Sequence, residues 1–176
     1  MRSCGASILL ISMLGAGFVA SGCSDGHDPT QPEVAQEVPP DATLVQQGGM
    51  ETVLTRSVQA IRERRRQVVE TQDQWEAVWD ELNANVLPQS PAPVVDLSDH
   101  VLLVLAMGAR PTGGYSISAE SLSRRDADQW VTVVERSPGP GCIVTQATTA
   151  PLAAVLVPRV GGQTFLVERQ EQTDCG

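Results

Sequence analysis

From residue 51 onward the apolar residues fall into short runs, and their spacing predicts a mainly β fold with one helix. The run 101–107 (VLLVLAM) is continuously apolar, as expected of a central strand buried on both faces. Tyr115, Ile117 and Ala119 alternate with Ser116, Ser118 and Glu120, the period of a strand with one face in water. The stretches 130–135 (WVTVVE), 142–148 (CIVTQAT), 153–157 (AAVLV) and 164–169 (TFLVER) read as further strands. Between them, Gly113-Gly114, 137–141 (SPGPG) and Gly161-Gly162 read as turns. Short strands at this spacing predict a single β-sandwich-like domain.

The helix is expected over about 72–83. Thr71 is placed to cap it, with Gln74 three residues on as in a capping box. Trp75, Val78, Trp79 and Leu82 then fall on one stripe, which packs the helix across an open side of the sheets. The stretch 52–70 is open to two readings, a helix or a hairpin. Its charged run Arg62-Glu63-Arg64-Arg65-Arg66 reads as a solvated turn or sheet edge rather than a binding patch.

The first 50 residues have a different texture. Arg2 is followed by a short apolar run and then Ala20-Ser21-Gly22-Cys23, the layout of a secretory signal that ends in a lipobox. Residues 1–22 are therefore expected to be removed. Cys23 is expected to carry lipid, palmitate among its acyl chains, at the new amino terminus. Several acyl chains would hold the protein at a membrane surface. Ser24, rather than Asp, after the cysteine favours the outer membrane where the cell has one. The predicted location is thus the cell envelope, with the domain facing the periplasm or the surface. Residues 23–50 hold Pro29, Pro32, Pro39 and Pro40, five acids and no Arg, and read as a disordered tether. The folded domain is expected over 51–176.

Charge narrows the function. The chain has 12 Arg, no Lys and 21 acids, a formal net charge of −9. This argues against nucleic acid, which selects a basic face. Cysteine usage fits export. With Cys4 lost in the leader and Cys23 lipidated, Cys142 and Cys175 remain. In an oxidising compartment they are expected to form a disulfide, with two free or intermolecular thiols as the alternative. The bridge would pin the C-terminus and stabilise by roughly 3–4 kcal/mol.

Catalytic chemistry finds little to stand on. His27 lies in the tether and His100 just before the buried run, and no nucleophile, base and acid can be assembled around either. The pairs Asp96/Asp99 and Asp126/Asp128 sit in loop-like stretches without apolar surroundings. No phosphate loop, metal-ligand spacing or dinucleotide fingerprint is present, so neither an enzyme nor a metal or cofactor is expected. The stretch that stands out is 108–117 (GARPTGGYSI). Pro111 fixes one torsion, and Gly113 and Gly114 permit positive φ. Thr112 and Tyr115 flank them. Pro111–Tyr115 is either a projecting recognition loop or a structural hairpin whose tyrosine closes the core.

The segments WEAVWDEL, VLLVLAMGARPTGGYSI and GCIVTQATTAP together resemble the PrcB C-terminal domain family, over roughly residues 66–169. The resemblance implies a small exported lipoprotein, anchored to a membrane, that associates with a subtilisin-type extracytoplasmic protease and helps it mature or persist. The Thr-x-Gly-Tyr loop is also similar to the wedge loop of chagasin-type cysteine-protease inhibitors, which implies direct inhibition as an alternative. A structural envelope lipoprotein with no protease link is a further one.

Overall fold

The computed structural model describes residues 30–175. The leader and Cys23 lie outside the described residues. Among the described residues, nine strands and one helix are arranged in three layers. The four-stranded sheet is made of β3 (Thr52–Ser57), β4 (Arg65–Val69), β5 (His100–Ala106) and β8 (Pro151–Pro158), in the order β3-β8-β5-β4. The five-stranded sheet contains β1 (Glu33–Ala35), β2 (Thr43–Gln47), β6 (Ser116–Arg125), β7 (Asp128–Pro138) and β9 (Thr164–Thr173), in the order β1-β9-β7-β6-β2. Helix α1 (Gln72–Leu82) covers the outer face of the first sheet.

The continuous apolar run explains the layering. Along β5, Val101, Leu103 and Leu105 face the other sheet and pack with Leu122, Val131, Val133 and Leu166. Leu102, Val104 and Ala106 face the opposite way and pack with Trp75, Val78 and Leu82 of the helix. The same division runs along β8. Ala153, Val155 and Val157 go to the sandwich interior, and Leu152, Ala154 and Leu156 go to the helix. A strand with period-2 side chains and two covered faces needs apolar residues at every position. The mainly β, sandwich-like architecture with one packed helix is therefore as expected.

The helix start follows the capping reading. Thr71 Oγ1 accepts from Gln74 N–H, and Gln74 Oε1 reaches back to accept from Glu70 N–H at 2.8 Å. Trp75 is fully buried, and its Nε1–H donates to Pro93 O at 3.1 Å.

Three expectations are corrected. The stretch 52–70 is neither a helix nor a hairpin, because β3 and β4 lie at opposite edges of one sheet. The disordered tether does not extend to residue 50. Glu33–Ala35 pairs in parallel with β9, and Thr43–Gln47 pairs antiparallel with β6. These edge strands add main-chain hydrogen bonds and leave Val34, Leu44 and Val45 about half exposed, so a polar composition does not forbid them. Finally, 142–148 is not a strand. Gly139 N–H donates to Thr173 O, and Cys142 is disulfide-bonded to Cys175. These ties hold the segment's start at the tip of β9, away from any free strand edge.

The strand directions give the sandwich two distinct ends. Strand β7 pairs with β9 from Gln129↔Thr164 to Pro138↔Thr173. The first pair marks a basal end, with the turns at 126–127 and 161–162. The second marks an apical end, where the disulfide and the loops after β5 and β7 gather. At ~3.3 Å per residue the ends are ~30 Å apart. Residue 30 enters near the basal end, where Thr30 O accepts from Val68 N–H at 2.8 Å.

The disulfide makes a direct prediction. Cys175→Ser is expected to lower stability by roughly 3–4 kcal/mol, the chain-entropy value for a 33-residue loop. A non-reducing urea melt checks it; unchanged stability would mean that the bridge constrains little in the unfolded chain.

Candidate functional site

The predicted loop sits at the apical end, but it does not project alone. After β5, Gly108 takes φ +76°, and a Cβ there would lie 2.8 Å from Arg62 O and 2.9 Å from Arg64 N. Only glycine allows this approach. The chain then runs against 142–150. Arg110 and Thr149 exchange both main-chain hydrogen bonds, at 2.7 and 3.0 Å. Thr149 Oγ1 donates to Thr112 O at 2.7 Å, and Gly113 N–H donates to Thr145 O at 2.9 Å. A Cβ on Gly113 would fall 2.4 Å from Thr145 Oγ1. Two loops are thus stitched into one platform, with the disulfide fixing the far strap of the second loop.

The hairpin reading of the loop accounts for its tyrosine. Tyr115 is half-buried against the sandwich core, as the structural hairpin requires. Pro111 and Gly114 are exposed beside it. Gly114 has φ +84°, and a Cβ there would meet Val144 Cγ1 at 2.8 Å and Pro138 Cβ at 3.1 Å. Gly114→Val is expected to cost about 1–3 kcal/mol in backbone strain and to push the second loop away. A thermal melt, with amide shifts at 142–149, checks this; native shifts at 142–149 would show that the contact is not needed.

The residue that sequence reasoning missed is Ile143. Its side chain is completely exposed, at 103% of the reference area, next to Val144 on the platform. The signal was present in the sequence. No charged residue occurs from 137 to 158, in a chain of net charge −9. A lone isoleucine in that stretch looked like a strand residue because β-branched side chains usually are one.

Below the platform, three arginines and two glutamates close the gap between the sheets. Arg66, in β4, and Arg64, just before that strand, both donate to Glu135 Oε1. Arg66 Nε also donates to Glu168 Oε1 at 2.7 Å, and Arg64 Nη2 donates to Glu168 Oε2. Arg66 Nη1 caps Ala106 O at 2.8 Å. Arg110 Nη2 stands 3.6 Å from Glu135 Oε2. The arginine run is at a sheet edge, as expected, but Arg66 is only 8% exposed and far from solvated. On the outer side Arg65 grips Glu81 of the helix with two 2.7 Å bonds.

These pairs set a pH dependence. Burial opposes ionisation of Glu168, but the hydrogen bonds from Arg64 and Arg66 outweigh it and hold the carboxyl below its ordinary range. The hydrogen bonds from Arg65 likewise lower Glu81. A depressed folded-state value contributes stability above the unfolded value of about 4.3 and loses it as pH falls through the folded value. Thermal midpoints are therefore expected to fall steeply below about pH 4, and less steeply in Glu168→Gln. Parallel curves for the two proteins would contradict the pairing.

Among the described residues no group of three His, Cys, Asp or Glu side chains is placed to hold a metal. His100 sits at the basal end, remote from the platform. No curated protein and no solved structure matches the chain. Residues 101–158, from β5 through the loop pair to the end of β8, match the family model described as PrcB C-terminal, so the resemblance read from the sequence is a finding over that segment.

Proposed function

We propose that the chain is a non-catalytic, lipid-anchored subunit of an extracytoplasmic protease complex, docking through the apical loop pair. The family match supports association with a protease complex. The observation that carries the docking surface is Ile143, a fully exposed aliphatic side chain on a loop held by a disulfide and four cross-loop hydrogen bonds. A rigid apolar knob loses little conformational freedom on binding, the usual property of an interface anchor.

The test is affinity recovery of the tagged lipoprotein from its native envelope after mild cross-linking. Wild type is expected to bring down a protease of the subtilisin type. Ile143→Asp is expected to lose it while melting normally, since that side chain packs on nothing. Recovery without any protease from wild type would overturn the reading. The anchor has its own check: Cys23→Ala is expected to leave the membrane fraction or to accumulate uncut, and normal lipid labelling of that variant would exclude the lipobox.

The inhibitor alternative asks the Thr-x-Gly-Tyr loop to act as a free wedge. Here the main-chain N–H of Gly113 is already bonded to Thr145, which favours docking over insertion. Titrating the protein against papain-like and subtilisin-like proteases separates the two.

A further inference from the structure

The ion cluster under the platform is unbalanced, and the imbalance opens to the surface beside the loop pair. Three guanidiniums, Arg64, Arg66 and Arg110, face two carboxylates, Glu135 and Glu168. Arg64 and Arg66 take every close bond to them. Arg110 is left with a 3.6 Å approach to Glu135 Oε2, and its guanidinium donates no hydrogen bond to any other described residue. Its Nε is buried without a partner, while the side chain as a whole is 31% exposed. The guanidinium carbon lies 5.9 Å from the centroid of the Tyr115 ring. In front of it is a cleft of about 210 Å³ lined by Met107, Arg110, Tyr115, Glu135, Arg136 and Ser137, among others. Arg136, on the rim, is already engaged by Glu120 and Glu171. The unspent positive charge of the cleft is therefore that of Arg110.

We propose that this cleft binds a carboxylate of the docking partner, with Arg110 as the binding residue. A planar guanidinium beside an aromatic ring, with free donors, suits a bidentate carboxylate. One more carboxylate makes the cluster three to three. The cleft is several water volumes in size, enough to admit a carboxyl group. The ligand is either an acidic side chain or a free chain terminus, since both present the same two oxygens. The identification of that carboxylate with the partner's rests on the protease-subunit reading; the site itself does not.

The experiment follows the arginine Nε–H resonances of the isotope-labelled full chain in detergent micelles at constant ionic strength. Three probes are titrated: acetyl-Ala-Ala with a free carboxylate, acetyl-Glu amide and acetyl-Gln amide. Arg110 is expected to shift saturably with one or both acids and not with the glutamine probe; which acid works identifies the source. In the variants the response is followed at the backbone amides of Tyr115 and Ser137, which line the same cleft: Arg110→Gln is expected to abolish the shift seen there in wild type, and Arg110→Lys, which keeps the charge without the fork, to weaken it several-fold. No saturable shift with either acid, or an equal shift with acetyl-Gln amide, overturns the site. Full protease recovery by Arg110→Gln, alongside carboxylate binding by wild type, overturns the assignment to the partner. Absence of protease from wild type overturns the subunit reading alone.

Discussion

Replacing Glu135 with alanine is expected to destabilise the protein by about 3–5 kcal/mol, the usual cost of removing one partner from a buried charge pair. Glu135 is 7% exposed, and Arg66, which donates to it, is 8% exposed. Without the carboxylate, Arg66 keeps one Glu168 oxygen and the Ala106 and Arg65 carbonyls, and Arg64 keeps Glu168 alone. Two guanidiniums then share one carboxylate, and a third stands nearby. Desolvation of the arginines is no longer offset, so the gap between the two sheets should open. The double variant Arg66→Met, Glu135→Leu removes both charges and fills the space with apolar atoms. It is expected to recover most of the loss. Urea melts of the single and double variants form the check. A single variant within about 1 kcal/mol of wild type would show that water enters this end freely.

Trp75→Ala is expected to cost a similar 3–5 kcal/mol, for a different reason. The indole is fully buried between the helix and the outer face of the four-stranded sheet, edge-on to Trp79 at 5.6 Å. It is also one of the ties between the helix and the proline-rich loop, through its hydrogen bond to Pro93 O, beside those of Trp79 to Ser90 O and Gln72 to Pro93 O. Its removal leaves a large cavity above Leu102, Val104 and Leu156, the surfaces that only the helix side covers. Near-UV circular dichroism is expected to lose much of its tryptophan signal before the β signal changes. Trp75→Phe keeps a ring and loses the N–H, so it should fall between the two. A cavity-sized loss in Trp75→Phe would mean that the hydrogen bond, rather than the volume, holds the helix.

The parts of this fold that could be read in the sequence are those where side-chain pattern decides structure. The run 101–107 announces two covered faces because no position in it tolerates water. Thr71, Gln74 and the Trp75–Leu82 stripe announce a capped, one-sided helix. Gly114 announces a left-handed turn. What escaped reading depends on partners distant in the chain. Strands β1 and β2 are held by main-chain bonds at sheet edges, which leave no mark on composition. Arg64, Arg66 and Val68 alternate inward, but only the arrival of Glu135 and Glu168 from the other sheet buries Arg66, while Arg64 stays at the rim, 44% exposed. The 142–148 segment has strand-forming residues and is kept out of a strand by the covalent tie at Cys142. Ile143 was visible and misassigned for the same reason.

The strap formed by β1 also fixes how far the molecule can stray. With Cys23 lipidated as proposed, only seven residue steps lie between the acyl chains and Thr30, a leash of at most about 25 Å. A free chain through residue 50 would have allowed nearly four times that. Because Thr30 joins the basal end and Ile143 rides the opposite one, the knob can reach no further than about 55 Å from the bilayer. A protease captured there must itself be kept close to the same membrane.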